Sequence, residues 1–93
     1  MTEAGQEFSP KPRQDLTIET IDENLVVLDK MHGRIHQLNG TASRIWVGIA
    51  DGKSLRTIAG DLAEEFDVTV DAVTSDIESV LGEFEALSLL ESR

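Results

Sequence analysis

His32 and His36 are the only imidazoles in the chain. Imidazole is the side chain most often used for metal binding and for proton transfer near neutral pH, so chemistry is sought there first. A four-residue spacing puts two ligands on one face of a helix. Here the pair brackets Gly33, in a stretch that reads as a turn running into a strand, so that face is missing even with Asp29 as a third donor. The expectation is no metal and no other cofactor, with His32 solvated in the turn and His36 on a strand face. A serine nucleophile would need Ser43 or Ser54 to meet His36, and nothing in the spacing brings them together. Glu64 with Glu65, and Glu83 with Glu85, fall on outward helix faces, where solvation is the default for carboxylates. Gly33 and Gly40 flank a strand and do not open a helix in a phosphate-binding pattern. The absence of cysteine removes disulfides, thiol nucleophiles and thiolate metal sites. These residues predict a protein that binds and is not an enzyme.

Charge narrows what it binds. The net charge is −10, spread unevenly. Residues 1 to 60 carry seven Lys/Arg against eight Asp/Glu, whereas residues 61 to 93 carry Arg93 alone against ten acids. Such a surface repels phosphate, so nucleic acid and anionic membrane are poor partners. No apolar run approaches the roughly 20 residues a spanning helix requires, and the polar opening "MTEAGQEFSPKPRQ" has no apolar signal core. The expectation is a soluble, cytoplasmic protein.

Ninety-three residues, 40% of them hydrophobic, suit one small domain. Residues 1–14, with Gly5, Pro10, Pro12 and few apolar side chains, read as a flexible tail, and 15–91 as the domain. "LTIETI", "LVVLD" and "RIHQL" read as three strands separated by turns at Asp22–Asn24 and at "KMHG". Short connections predict an antiparallel meander in the order one, two, three, with the third strand on an edge. The period then changes from 2 to 3.6. Ala42, Ile45, Trp46 and Ile49 form a helical stripe behind a cap at Asn39. Ser54 caps a second helix with the stripe Leu55, Ile58, Ala59, Leu62 and Phe66. Thr69 caps a third, Val70 to about Leu87, with Val73, Ile77, Val80, Leu81, Phe84 and Leu87 on its apolar face. Strands followed by helices give an α+β fold: a three-stranded antiparallel N-terminal sheet, then three α-helices.

Helix, tight turn and longer helix resemble a helix-turn-helix core, which raises a DNA-binding transcriptional regulator as the alternative function. The third helix would have to enter the major groove, yet it carries Asp71, Asp76, Glu78, Glu83 and Glu85 and no basic residue. The open edge offers another function. An unpaired edge strand is a template for an extended chain, and proteins that exploit this bind peptides by β-strand addition. One wall of such a groove is the backbone from Arg34 to Leu38. The other is the third helix, with Ile77, Val80 and Phe84 either lining the groove or belonging to the core, and with Asp76 and Glu83 as an acidic rim suited to basic side chains. The same edge could pair with its own copy, so a monomer or a weak homodimer is expected.

Gly33, Leu38-Asn39, Thr41-Ala42, Ile45-Trp46, Asp51-Gly52, "SLRTIAGDLAEEFDV" and "SDIESVLGEFEALSLL", in that order across roughly residues 16 to 90, resemble the PqqD-like family of peptide-binding proteins. The resemblance implies a winged-helix-like domain acting as a recognition element in pathways of ribosomally made, post-translationally modified peptides (RiPPs). It implies a non-catalytic peptide chaperone that binds the leader of a precursor peptide as an added strand between the third strand and the third helix. The chaperone then presents the precursor to a modifying enzyme: a radical S-adenosylmethionine enzyme, a protease or a cyclase. By position the implied binding residues are Arg34, Ile35, His36, Gln37 and Leu38 on the strand, and Asp76, Ile77, Val80 and Glu83 on the helix. The turn before the third strand reads "DKMHG" where the family's namesake branch carries P-E-G. Both the quinone pathway and another class, such as a lasso peptide or a radical-enzyme product, stay open.

Overall fold

The computed structural model describes residues 10–91. Three strands, β1 (Thr17–Ile21), β2 (Asn24–Asp29) and β3 (Arg34–Gln37), precede three helices, α1 (Gly40–Ala50), α2 (Leu55–Phe66) and α3 (Val70–Ala86). The sheet is an antiparallel meander in the order β1-β2-β3, as the short connections require. Asp22 and Glu23 join β1 to β2 with φ of 53° and 71°. Both sit in the left-handed region, the geometry whose twist matches the flanking strands in a two-residue hairpin. Gly33, at φ 65°, closes the second turn.

One face of β2 is the floor of the core. Leu25 and Val27 point into the helical layer and Val27 is fully buried. The helices return Ile45, Trp46, Ile49, Ile58, Ile77 and Phe84 to that floor. Trp46 and Phe84 meet edge to face, with centroids 5.2 Å apart and planes at 83°, the arrangement that aromatic quadrupoles favour. Each helix begins where a side-chain oxygen accepts a first-turn amide: Asn39 from Ala42, Ser54 from Thr57 and Thr69 from Ala72. α1 and α2 approach closely at Gly48, where a Cβ would stand 2.7 Å from Ile58 Cγ1.

Three features depart from what the residues suggest. Phe66 ends the apolar stripe of α2 yet is 47% exposed, because the core is already filled by Ile58 and Leu62. The Arg44 guanidinium lies over its ring at 5.4 Å, and Arg44 also pairs with Glu65. Ser88 takes a left-handed conformation (φ 60°) after α3, so that Leu89 N–H returns to the Phe84 carbonyl and Leu89 is buried. Glycine is the usual signal for that ending, and it is absent here. Finally, Pro10 to Gln14, which read as the end of a tail, are laid along the segment after α3. Pro12 bridges Leu90, Arg13 N–H bonds the Leu89 carbonyl at 2.9 Å, and Pro10 is buried. Residues 1–9, the rest of the expected tail, lie outside the described residues.

Candidate functional site

Leu38 N–H donates to the Leu25 carbonyl at 2.8 Å. In an antiparallel pair this direction alternates along the strand. His36 and Arg34, opposite Val27 and Asp29, therefore turn their backbone groups toward β2, and Ile35 and Gln37 turn theirs away. No strand of the described residues lies beyond β3. The expected backbone wall from Arg34 to Leu38 thus resolves into two residues with outward-facing N–H and C=O groups. Side chains follow the complementary parity. Arg34, His36 and Leu38 share the core-facing side of the sheet, whereas Ile35, 71% exposed, and Gln37 lie on the outer side. Leu38 falls just past the strand, and its side chain is core.

Ser43, in α1, finishes the edge. Its buried hydroxyl accepts the Leu25 N–H at 3.0 Å and donates to the Leu38 carbonyl at 3.2 Å. One side chain thereby satisfies the groups left over where the chain leaves the sheet for the helix. With both functions occupied, Ser43 is no candidate nucleophile.

Asp76, Val80 and Glu83 on α3, with Leu87 at its C-cap, fall at helical spacing along one border of the buried stripe. Val80 and Leu87 are half-buried against the core, and Asp76 and Glu83 are exposed. Ile77 and Phe84, each 2% exposed, are core residues, so the apolar surface this border offers is Val80 with Leu87. The helix carries no Lys or Arg. The DNA-binding alternative thus lacks the cations that would meet phosphate.

A buried ion cluster holds the β2–β3 hairpin. Asp29, 1% exposed at the end of β2, receives both Arg13 amino groups, at 3.0 and 3.1 Å. His32 adds its ring Nδ1 at 2.8 Å and its backbone N–H at 3.3 Å. Arg13 also bonds Asp15 and the Ser88 carbonyl. The Arg13 hydrogen bonds, followed by those from His32, hold the Asp29 carboxyl well below the usual carboxylate range. Arg13 likewise lowers Asp15. Asp29 and His32 are therefore a hairpin clasp, and His36 sits apart from them on the strand. No group of three or more His, Asp or Glu is placed to hold a metal among the described residues. Sequence reasoning missed Arg13, whose proline-flanked setting carries no sign of burial. A cleft of about 700 Å³ also opens between the β1–β2 turn, α1 and α2, with Asp22, Glu23, Arg44, Lys53 and Asp61 on its walls. No helix of the described residues is long and apolar enough to cross a membrane.

The model of the family "Coenzyme PQQ synthesis protein D (PqqD)" matches residues 24–90. No curated protein is a match to the chain. Two solved structures are similar. TbiB1 in complex with the TbiA(beta) leader peptide is 26% identical, with a TM-score of 0.83 over 89% of this chain and 96% of that one. Lasso peptide synthetase B1 complexed with the leader peptide is 25% identical, also with a TM-score of 0.83, over 91% of this chain and 100% of that one.

Proposed function

Since the chain belongs to the PqqD family, we propose that it is a leader-peptide-binding protein of a RiPP pathway, which docks its precursor as a fourth strand on β3. The observation that carries this reading is the edge itself, which no strand of the described residues covers, with Ile35 and Gln37 offering two N–H and two C=O groups. Its similarity to two proteins solved with leader peptides supports the same reading. The incoming strand lies between β3 and the border of α3. Val80 and Leu87 give it an apolar floor, and Asp76 and Glu83 attract basic side chains. Arg34, His36 and Leu38 back the strand, and Ile77 supports the helix from within the core.

The protein performs no bond chemistry in this reading. It works by holding the precursor where a separate modifying enzyme can act, which raises the local concentration of substrate. The test is titration of the isotope-labelled protein with a candidate leader peptide. Amide shifts should concentrate at residues 34–38 and along α3 from Asp76 to Leu87. Shifts that avoid both segments would count against the site.

A further inference from the structure

Among the described residues, one side-chain nitrogen or oxygen is both sealed from solvent and without a hydrogen-bond partner: Nε2 of His36. Buried polar atoms are normally paired, so an orphan calls for a reason. The place of His36 supplies one. The residue is half-buried on the core-facing side of the edge strand, opposite fully buried Val27 and two residues before core residue Leu38. An apolar side chain would fill that position without leaving a nitrogen unpaired.

We infer that His36 selects a hydroxyl-bearing residue (Ser, Thr or Tyr) at the position of the leader that faces it, an inference that rests on the proposed docking edge. The parity of β3 sets the geometry. A strand added to β3 exchanges main-chain hydrogen bonds with Ile35 and Gln37, so the residue opposite His36 forms a non-hydrogen-bonded pair. Its own N–H and C=O point away from β3, and the main chain cannot satisfy the imidazole. Its side chain can, because such pairs bring Cβ atoms within about 4.5–5.5 Å on one face. The ring meets it by turning toward the edge, where no strand of the described residues stands in the way. A hydroxyl both donates and accepts, so it pairs with the imidazole whether or not the facing nitrogen carries a proton. A carboxylate would approach a chain whose net charge is already −10. An ammonium can only donate. A hydroxyl meets both conditions from a single atom, whereas a side-chain amide keeps its donor and its acceptor on separate atoms and must turn to present the right one.

The probe is a displayed library of 12-residue peptides, selected separately on the wild-type protein and on His36→Val. Valine suits an edge strand and removes the orphan nitrogen. The wild type should enrich peptides that align with a hydroxyl at one position, and His36→Val should lose that preference. Replacing the hydroxyl in the best peptide (Ser→Ala, Thr→Val or Tyr→Phe) should weaken binding to the wild type about tenfold and leave binding to His36→Val within about twofold. The Nε2 nitrogen-15 resonance should move with the hydroxyl peptide and stay with its deoxy counterpart. A consensus without a hydroxyl, or equal discrimination by both proteins, overturns the role of His36 and leaves the docking edge standing. Failure to enrich any peptide on the wild type overturns the docking edge as well. The peptide-side replacement is read on the wild type alone, so its outcome does not depend on how the variant folds.

Discussion

Proline walked along β3 tests the site residue by residue. Proline removes the N–H, and within sheets it is tolerated where that N–H faces solvent. The parity of the β2–β3 ladder places the Gln37 N–H outward and the His36 N–H toward β2. Gln37→Pro therefore leaves every β2–β3 hydrogen bond intact, and its thermal midpoint should stay close to that of the wild type. His36→Pro deletes the bond to Val27 and strands a buried carbonyl, at a cost of about 1–3 kcal/mol. At about 4–8 °C per kcal/mol for a domain of this size, the midpoint should drop visibly. Binding should respond in the opposite order. A docked leader makes up to four hydrogen bonds with Ile35 and Gln37. Gln37→Pro removes one donor, leaves a peptide carbonyl unpaired, and puts a ring where a strand should approach to about 4.8 Å. One such loss of about 1.4 kcal/mol is already tenfold in affinity, so at least a tenfold weakening is expected. β1 supplies the control. Its outward residues by the same parity are Ile18 and Thr20, and Thr20→Pro should leave binding unchanged. Thermal unfolding and calorimetric titration with the cognate leader read both quantities. The reasoning fails if Gln37→Pro binds like the wild type, or if Thr20→Pro abolishes binding.

Charge reversal of Asp76 and Glu83, both exposed on α3, should weaken a basic leader several-fold at low salt and leave stability unchanged; titration at two ionic strengths checks this. Acid stability should depend on Asp29. Its folded pKa is depressed by Arg13 and His32, so its contribution is present above the unfolded value of about 3.9 and is lost as pH falls below that toward the folded value. Asp29→Asn should lower the thermal midpoint at neutral pH and flatten its fall below about pH 4. Two glycine-to-alanine changes should have opposite signs in denaturant unfolding. Gly82→Ala meets open space on the exposed face of α3 and should stabilise by about 0.5–1 kcal/mol. Gly48→Ala drives a Cβ to 2.7 and 2.8 Å from the Ile58 side chain, and its overpacking of about 1–3 kcal/mol should outweigh the gain in helix propensity.

The parts of this fold that were legible share a property: each is decided within a few residues. Asn39, Ser54 and Thr69 cap the helices because a short polar side chain reaches an amide three positions ahead. The change of period at Asn39-Gly40 marks the end of β3 just as locally. What was not legible depends on partners far apart in the chain. Nothing near Arg13 says that it meets Asp29 and the carbonyl of Ser88. Nothing near Phe66 says that the core is full before its turn of the helix arrives. Ile77 and Val80 have the same apolar character, and only the packing of α3 sends one inward and leaves the other at the border. The candidate site is mixed in the same way. Its strand could be found from pattern and its parity could not, because parity depends on which carbonyl receives the Leu38 N–H.

That parity also explains how the domain keeps an open edge without losing its register. Edge strands are commonly blunted by lysine, proline or a bulge, and β3 has none of these between Arg34 and Gln37. It is held at both ends. Asp29, bound by Arg13 and His32, fixes the hairpin turn; Ser43, bridging Leu25 and Leu38, fixes the exit into α1. A four-residue strand anchored in this way cannot slip by one position without breaking a buried ion cluster or stranding a buried hydroxyl. Slippage would exchange the faces of His36 and Ile35, and with them the side chains that an added strand would meet. The clasp and the serine bridge, both outside the groove, therefore determine what the groove reads. It follows that Ser43→Ala should blur selection among peptides before it abolishes binding. The check is the spread of affinities across a panel of leader variants, which should narrow for Ser43→Ala relative to the wild type. A uniform loss of affinity with the ranking and spread preserved would show that register is held elsewhere.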